Sequence, residues 1–225
     1  MSIHNIAHSP EINPIVSLML LRNATIATMT PGVPYGLIAH GAVVIEGDRI
    51  AWTGPETDLP AAYQRDGEDM QGRLITPALI DYHTHVVFGG NRAEEFEMRL
   101  NGASYEAVAR AGGGIVSTVT ATRGASEAAL LDDAITRVDA LIGEGVTAIE
   151  VKSGYGLDRE TELKMLRVAR RIAQVRRVRV MTSFLGAHAV PAEYQGDPDG
   201  YIDGVCIPAL QAAHAEGLVD AVNGF

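Results

Sequence analysis

The chain has 225 residues, a formal net charge of −10 and 47% hydrophobic residues. That length allows one well-packed core, or a small domain beside part of a larger one. The acidic balance argues against a nucleic-acid partner, which needs a basic face, while one well-placed arginine can still take an anionic small molecule.

At the N-terminus no basic segment precedes a long apolar one, and the run Ile15 to Leu21 is too short to span a bilayer. The expectation is a cytoplasmic protein with no membrane partner. From about Ser17 to Arg73 the pattern is short strands and turns. Leu18 to Thr28 reads as a strand. Gly41 to Glu46 and Arg49 to Gly54 read as a hairpin turning at Gly47-Asp48. No residue in this part offers chemistry.

From Leu74 the pattern becomes strand, loop, helix. The apolar run Leu74-Ile75-Thr76-Pro77-Ala78-Leu79-Ile80-Asp81 leads into His83-Thr84-His85. In a strand from Leu79 to His85, residues two apart face one way, so both imidazoles can hold one metal ion. Two polar residues at a strand end is the plainer alternative. The apolar run before them and the loop Gly89-Gly90-Asn91-Arg92 after them favour ligands at the C-terminal end of a barrel strand.

A short helical stretch, Ser104 to Ala111, leads to Gly112-Gly113-Gly114. Ser126 is an N-cap for a helix whose Leu131, Ala134, Ile135, Val138, Leu141 and Ile142 share a face, ended by Gly143 and Gly145. Thr147 to Lys152 is the next strand, Arg159 to Gln174 the next helix and Val178 to Phe184 a third strand. Tyr201 to Glu216 is helical, with Pro208 arguing for a break or a second start. It contains Cys206, the only cysteine, so no disulfide can form within the chain, as suits a reducing compartment. Ala221 to Phe225 opens a fourth strand. Repeated βα units imply a parallel sheet, open or closed as a barrel; a closed barrel needs eight units and this chain carries about three.

The segments after the strands hold the unusual chemistry, and a curved sheet would gather them at one rim. The first gives His83, His85 and Arg92, whose planar fork suits a carboxylate, or which pairs on the surface with Glu94 or Glu95. The second gives Lys152-Ser153-Gly154-Tyr155-Gly156, with Tyr155 on a tight, exposed turn, either binding or merely capping it. Lys152 reads as one half of a structural ion pair. The third gives Gly186-Ala187-His188-Ala189, with His188 either in the site or a hydrogen-bonded rim residue. Hydrolytic metal sites usually have three protein ligands plus water, so His83 and His85 are half a site. No G-x-S-x-G, P-loop or G-x-G-x-x-G pattern occurs, which leaves serine-hydrolase and nucleotide readings without support.

Thr76-Pro77-Ala78-Leu79-Ile80-Asp81-Tyr82-His83-Thr84-His85 resembles the metal motif of the amidohydrolase superfamily. Phe88 to Arg92, Phe96 to Gly102, Ala111 to Ile115, Glu150 to Gly156 and Phe184 to His188 are together similar to the imidazolonepropionase family, in a resemblance running from about Leu18 to the end. It implies an α/β fold: a small β-sandwich-like part plus a metal-dependent (β/α)8 barrel. Of these the chain holds the β-rich part over residues 1–73 and the first three βα units over residues 74–225, incomplete as given. It implies one Zn or Fe ion per complete subunit, a small-molecule substrate and a homodimer. It also implies hydrolysis of the cyclic amide 4-imidazolone-5-propanoate to N-formimidoyl-L-glutamate in histidine degradation.

Position by position, His83 and His85 match metal ligands, and Arg92, Tyr155 and His188 match substrate-binding residues. The family's other His and Asp ligands and its acidic residue near the substrate come from later strands. No catalytic residue is assigned here, and the chain alone is expected to be inactive. Ala78 stands where the motif usually has Gly, and Tyr82 where a smaller residue is common. Two alternatives remain: another cyclic-amide amidohydrolase, dihydroorotase-like or hydantoinase-like, which would share the histidine pair without the Tyr155 and His188 contexts, and a non-catalytic fragment.

Overall fold

The computed structural model describes residues 17–104, 107 and 113–224, in two units that divide between Pro77 and Ala78. In the first unit, β1 (Leu18–Ala27) pairs antiparallel with β2 (Leu37–Glu46), and β2 with β3 (Arg49–Pro55). The β2–β3 turn has Gly47 at φ +61°, a conformation that favours glycine. β4 (Glu68–Asp69) and β5 (Leu74–Ile75) add to β1 in parallel. Successive residues of a strand face opposite ways, so Val44 packs with Leu20 and Ala42 while Val43 packs with Ala24 and Ile26.

The apolar run that begins at Leu74 is therefore not one strand. Leu74 and Ile75 belong to the sheet of the first unit, and the next strand starts only at Leu79. Pro77, which has no N–H to give a ladder, lies between them.

In the second unit, β6 (Leu79–Thr84), β7 (Val146–Lys152), β8 (Arg179–Phe184) and β9 (Ala221–Val222) form an all-parallel sheet in the order β6-β7-β8-β9. The helices are α1 (Ala93–Leu100), α2 (Ile115–Gly124), α3 (Glu127–Gly143), α4 (Arg159–Val175), α5 (Pro198–Tyr201) and α6 (Ile207–Ala215). Ser126 caps α3 by accepting from Ala129 N at 3.2 Å, and Asp158 caps α4 by accepting from Thr161 N at 2.7 Å. Each such cap contributes about 1 kcal/mol. Leu130, Ala134 and Val138 of α3 and Met165, Val168 and Ile172 of α4 bury against Ile149 and Val151 of β7. The opposite side of α4, with Leu163 and Leu166, packs on Phe184, Tyr201, Ala209 and Ala213. Parallel strands joined by helices in this way fit a partial (β/α) barrel preceded by a β-rich part.

Two helices depart from the sequence reading. α1 follows directly on the expected loop Gly89 to Arg92, in a stretch to which the sequence reading assigns no element, and α2 is rich in Val, Ile and Thr, residues with weak helix propensity. The helix expected over Ser104 to Ala111 lies, apart from Ser104 and Ala107, outside the described residues, as does Gly112. Pro208 marks a second start, in the first turn of α6, where a missing N–H is tolerated, and a π turn over Ile202–Cys206 precedes it. Among the described residues no helix is long and apolar enough to cross a membrane.

Candidate metal centre and binding rim

β6 ends at Thr84, whose Oγ1 donates to the Glu150 carbonyl of β7 at 2.6 Å and pins the strand end. His83 is exposed and His85, one residue beyond the strand, is half-buried; their ring centroids lie 5.6 Å apart. His85 Nδ1 is buried without a hydrogen-bond partner. Burial, and after it the charges of His83 and His188, push the His85 pKa down to about 4. The ring is therefore neutral at pH 7, the state in which imidazole ligates a metal. An orphaned buried nitrogen is costly to leave unmet, and neutral imidazole is a donor that suits Zn or Fe, so this pair fits part of a metal site. Among the described residues no group of three or more His, Cys, Asp or Glu could hold a metal ion.

Tyr155 links the three strand ends. Its ring centroid is 5.1 Å from His85, 6.1 Å from Phe88 and 6.2 Å from His188. It is half-buried rather than exposed, because rings from two other loops close over the turn. Gly154 has φ +113°, and a Cβ there would lie 2.8 Å from the His188 ring and 2.9 Å from Leu185 O. His188, in the short turn Gly186–His188, brings Nε2 to 2.5 Å from Gly154 O. A carbonyl only accepts, so Nε2 carries the proton. Tyr201 OH donates to Gly186 O at 2.7 Å and holds this turn from behind.

The contacts of Arg92 lead to Glu95. Nη2 and Nε lie 2.7 and 2.8 Å from Glu95 Oε2, the surface pairing weighed from the sequence. Glu95 also accepts from Gly114 N and Ser117 Oγ, and Arg92 beside it holds its pKa down at about 2. Arg92, Glu95, Phe96 and Arg99 line a cleft of about 300 Å³. Lys152 forms the expected ion pair: its buried Nζ lies 2.6 Å from Glu150 Oε1 and 2.7 Å from Asn223 Oδ1.

Sequence reasoning missed Glu162 and Arg123. The Glu162 carboxylate is 1% exposed and accepts from Gly154 N, Gly156 N and Leu157 N, and Arg123 donates to Gly156 O. The available signal was an acidic residue in the first turn of a helix that directly follows a glycine-rich turn.

A family model described as an imidazolonepropionase-like composite domain of bacteria matches residues 41–63. The imidazolonepropionase of Roseobacter denitrificans is 73% identical over 208 residues, 92% of this chain and 52% of that protein. That of Ruegeria pomeroyi is 66% identical over 212 residues, 93% of this chain and 53% of that protein. The chain spans about half the length of the curated relatives it matches. Among solved structures, guanine deaminase from C. acetobutylicum superposes with a TM-score of 0.53 at 13% identity, covering 92% of this chain and 46% of that one, a likeness of fold alone.

Proposed function

We infer that this chain, a member of the imidazolonepropionase family over the half-length it shares with those proteins, carries the first part of a hydrolase site for a cyclic amide with a propanoate tail. The reaction is hydrolysis of 4-imidazolone-5-propanoate to N-formimidoyl-L-glutamate, in a cytoplasmic, homodimeric enzyme. The observation that carries the reading is the row of rings His83, His85, Tyr155 and His188, with a buried unpartnered nitrogen inside it.

His83 and His85 would hold the ion, Zn or Fe. Bound there, it supplies Lewis acidity for activating water and an amide carbonyl. His188 spends Nε2–H on Gly154 O, so a neutral ring keeps Nδ1 as an acceptor for a heterocycle N–H. Tyr155 offers a phenol able to donate or accept. Arg92 offers the propanoate a guanidinium whose several N–H donors can be shared between that carboxylate and Glu95. A dihydroorotase-like or hydantoinase-like reading shares the histidine pair and leaves the Tyr155–His188 pair without a role. The two-imidazole donor set favours a chain that does not turn over substrate alone.

Imidazol-4-ylpropanoate, an unreactive heterocyclic propanoate, is the probe. Calorimetric titration should show binding by the chain, weakened by Tyr155→Phe and weakened by about 1.5–3 kcal/mol in Arg92→Ala, as for loss of a hydrogen bond to a charged group. Equal affinity for wild type and Arg92→Ala would leave Arg92 as the surface partner of Glu95.

A further inference from the structure

The turn that carries Tyr155 has a conformation that one of its residues, Leu157, resists. Leu157, a buried leucine, sits at φ +52°, and Gly154 at φ +113°. The left-handed region strains a leucine backbone, and such strain persists only where the surroundings over-determine it.

Two charged side chains supply that determination. Glu162, from the first turns of α4, accepts from Gly154 N at 2.9 Å, Gly156 N at 2.8 Å and Leu157 N at 2.9 Å. Arg123, from the last turn of α2, donates to Gly156 O at 2.7 Å and Leu157 O at 3.2 Å and pairs with Asp158 at 3.0 Å. The N–H groups of the turn thus meet carboxyl oxygens, and its carbonyls a guanidinium; burial pushes the Glu162 pKa up and the donors around it push it back down. The arrangement reaches the next strand end as well, because Ser153 Oγ accepts from Leu185 N at 3.1 Å and Gly154 O takes the His188 proton. A buried carboxylate costs free energy unless its lone pairs are met. Here three backbone N–H groups are donors, a set that carboxyl oxygens satisfy and that the NH₂ of an amide opposes.

We propose that Glu162 and Arg123 are positioning residues, which together lock the Ser153–Asp158 turn so that the Tyr155 ring faces His85 and His188 keeps its proton on Nε2. This rests on the functional reading only in taking Tyr155 and His188 as binding residues; the lock itself is a claim about geometry.

The test uses the 225-residue chain with ¹⁵N-labelled histidine: wild type, Glu162→Gln, Arg123→Met and, as a control, Val168→Ala. Val168 is fully buried in α4, in the core cluster that Tyr155 packs against, so it tests packing alone: its side chain carries no polar atom. Circular dichroism first establishes which variants are folded. Wild type should show His188 as a single Nε2–H tautomer with nuclear Overhauser contacts to Tyr155. Glu162→Gln and Arg123→Met should lose both features, and Val168→Ala should keep them. If Glu162→Gln does not fold, Arg123→Met decides. A folded variant of either residue with the wild-type tautomer and contacts overturns the lock, as does equal loss in Val168→Ala. With imidazol-4-ylpropanoate, Glu162→Gln should bind at least 10-fold more weakly than wild type, and unchanged affinity overturns the positioning role. No binding by wild type counts against the functional reading, and the tautomer still decides the lock.

Discussion

At the scale of single residues, His85 shows what burial does to a ligand. Desolvation lowers its pKa to about 4 and leaves Nδ1 without a partner, so the ring is neutral and ready to coordinate. The His83 ring lies beside it, with centroids 5.6 Å apart. Complete four-ligand zinc sites bind with about 10–16 kcal/mol, and two imidazoles fall far short of that. The chain is therefore expected to hold zinc weakly and to lose it on dialysis. Millimolar zinc should still shift the ring resonances of His83 and His85, and His85→Ala should abolish the shift at His83. Stoichiometric zinc that survives dialysis in a His83→Ala, His85→Ala double variant would sink the assignment.

At the scale of elements, the sequence exposes what depends on local pattern. α3 is legible because Ser126 precedes a long apolar face, α4 because its apolar residues share one face, and β7 and β8 because short β-rich runs lie between helices. The candidate ligands His83 and His85 are legible for the same reason, as alternating residues at a strand end. Glu162 is not, since in sequence it is one more acidic residue in the first turns of a helix, and only the turn folded over it buries it. Tyr155, between glycines, reads as exposed because the rings that cover it come from distant strand ends. The approach to β9 gives an element-scale prediction. Asp220 accepts from Arg170 at 2.8 and 2.9 Å and from Thr182 N at 2.8 Å, and these contacts, Arg170 first, hold its pKa below 3.8. A carboxyl depressed on folding adds stability above its unfolded pKa, and that stability is lost as pH falls through the folded value. Denaturant unfolding followed between pH 7 and pH 3 should find Asp220→Asn less stable at neutral pH, with the gap to wild type closing below about pH 4. Parallel curves would mean that Asp220 contributes nothing through its charge.

At the scale of the molecule, the parallel sheet decides how the chain behaves in solution. Among the described residues β6 pairs on one side only, with β7. An unpaired strand edge is a template for another strand, and natural proteins blunt such edges with lysine, proline or a cover. β6 has none of these within it: Leu79, Ile80 and Tyr82 are 56, 68 and 79% exposed. Exposed apolar side chains on an open edge favour association between copies. Sedimentation velocity should accordingly show concentration-dependent self-association of the chain, reduced in Ile80→Lys, which sets a charge on that edge. Whether association restores turnover is a separate question, because copies that meet edge to edge bring more imidazoles and no new kind of ligand. Hydrolysis of imidazolone propanoate should stay far below ordinary enzyme rates, on the order of 1 s⁻¹ or more, at every concentration. A chain that stays monomeric at high concentration, with Ile80→Lys indistinguishable from it, would show that the edge is protected by residues outside β6.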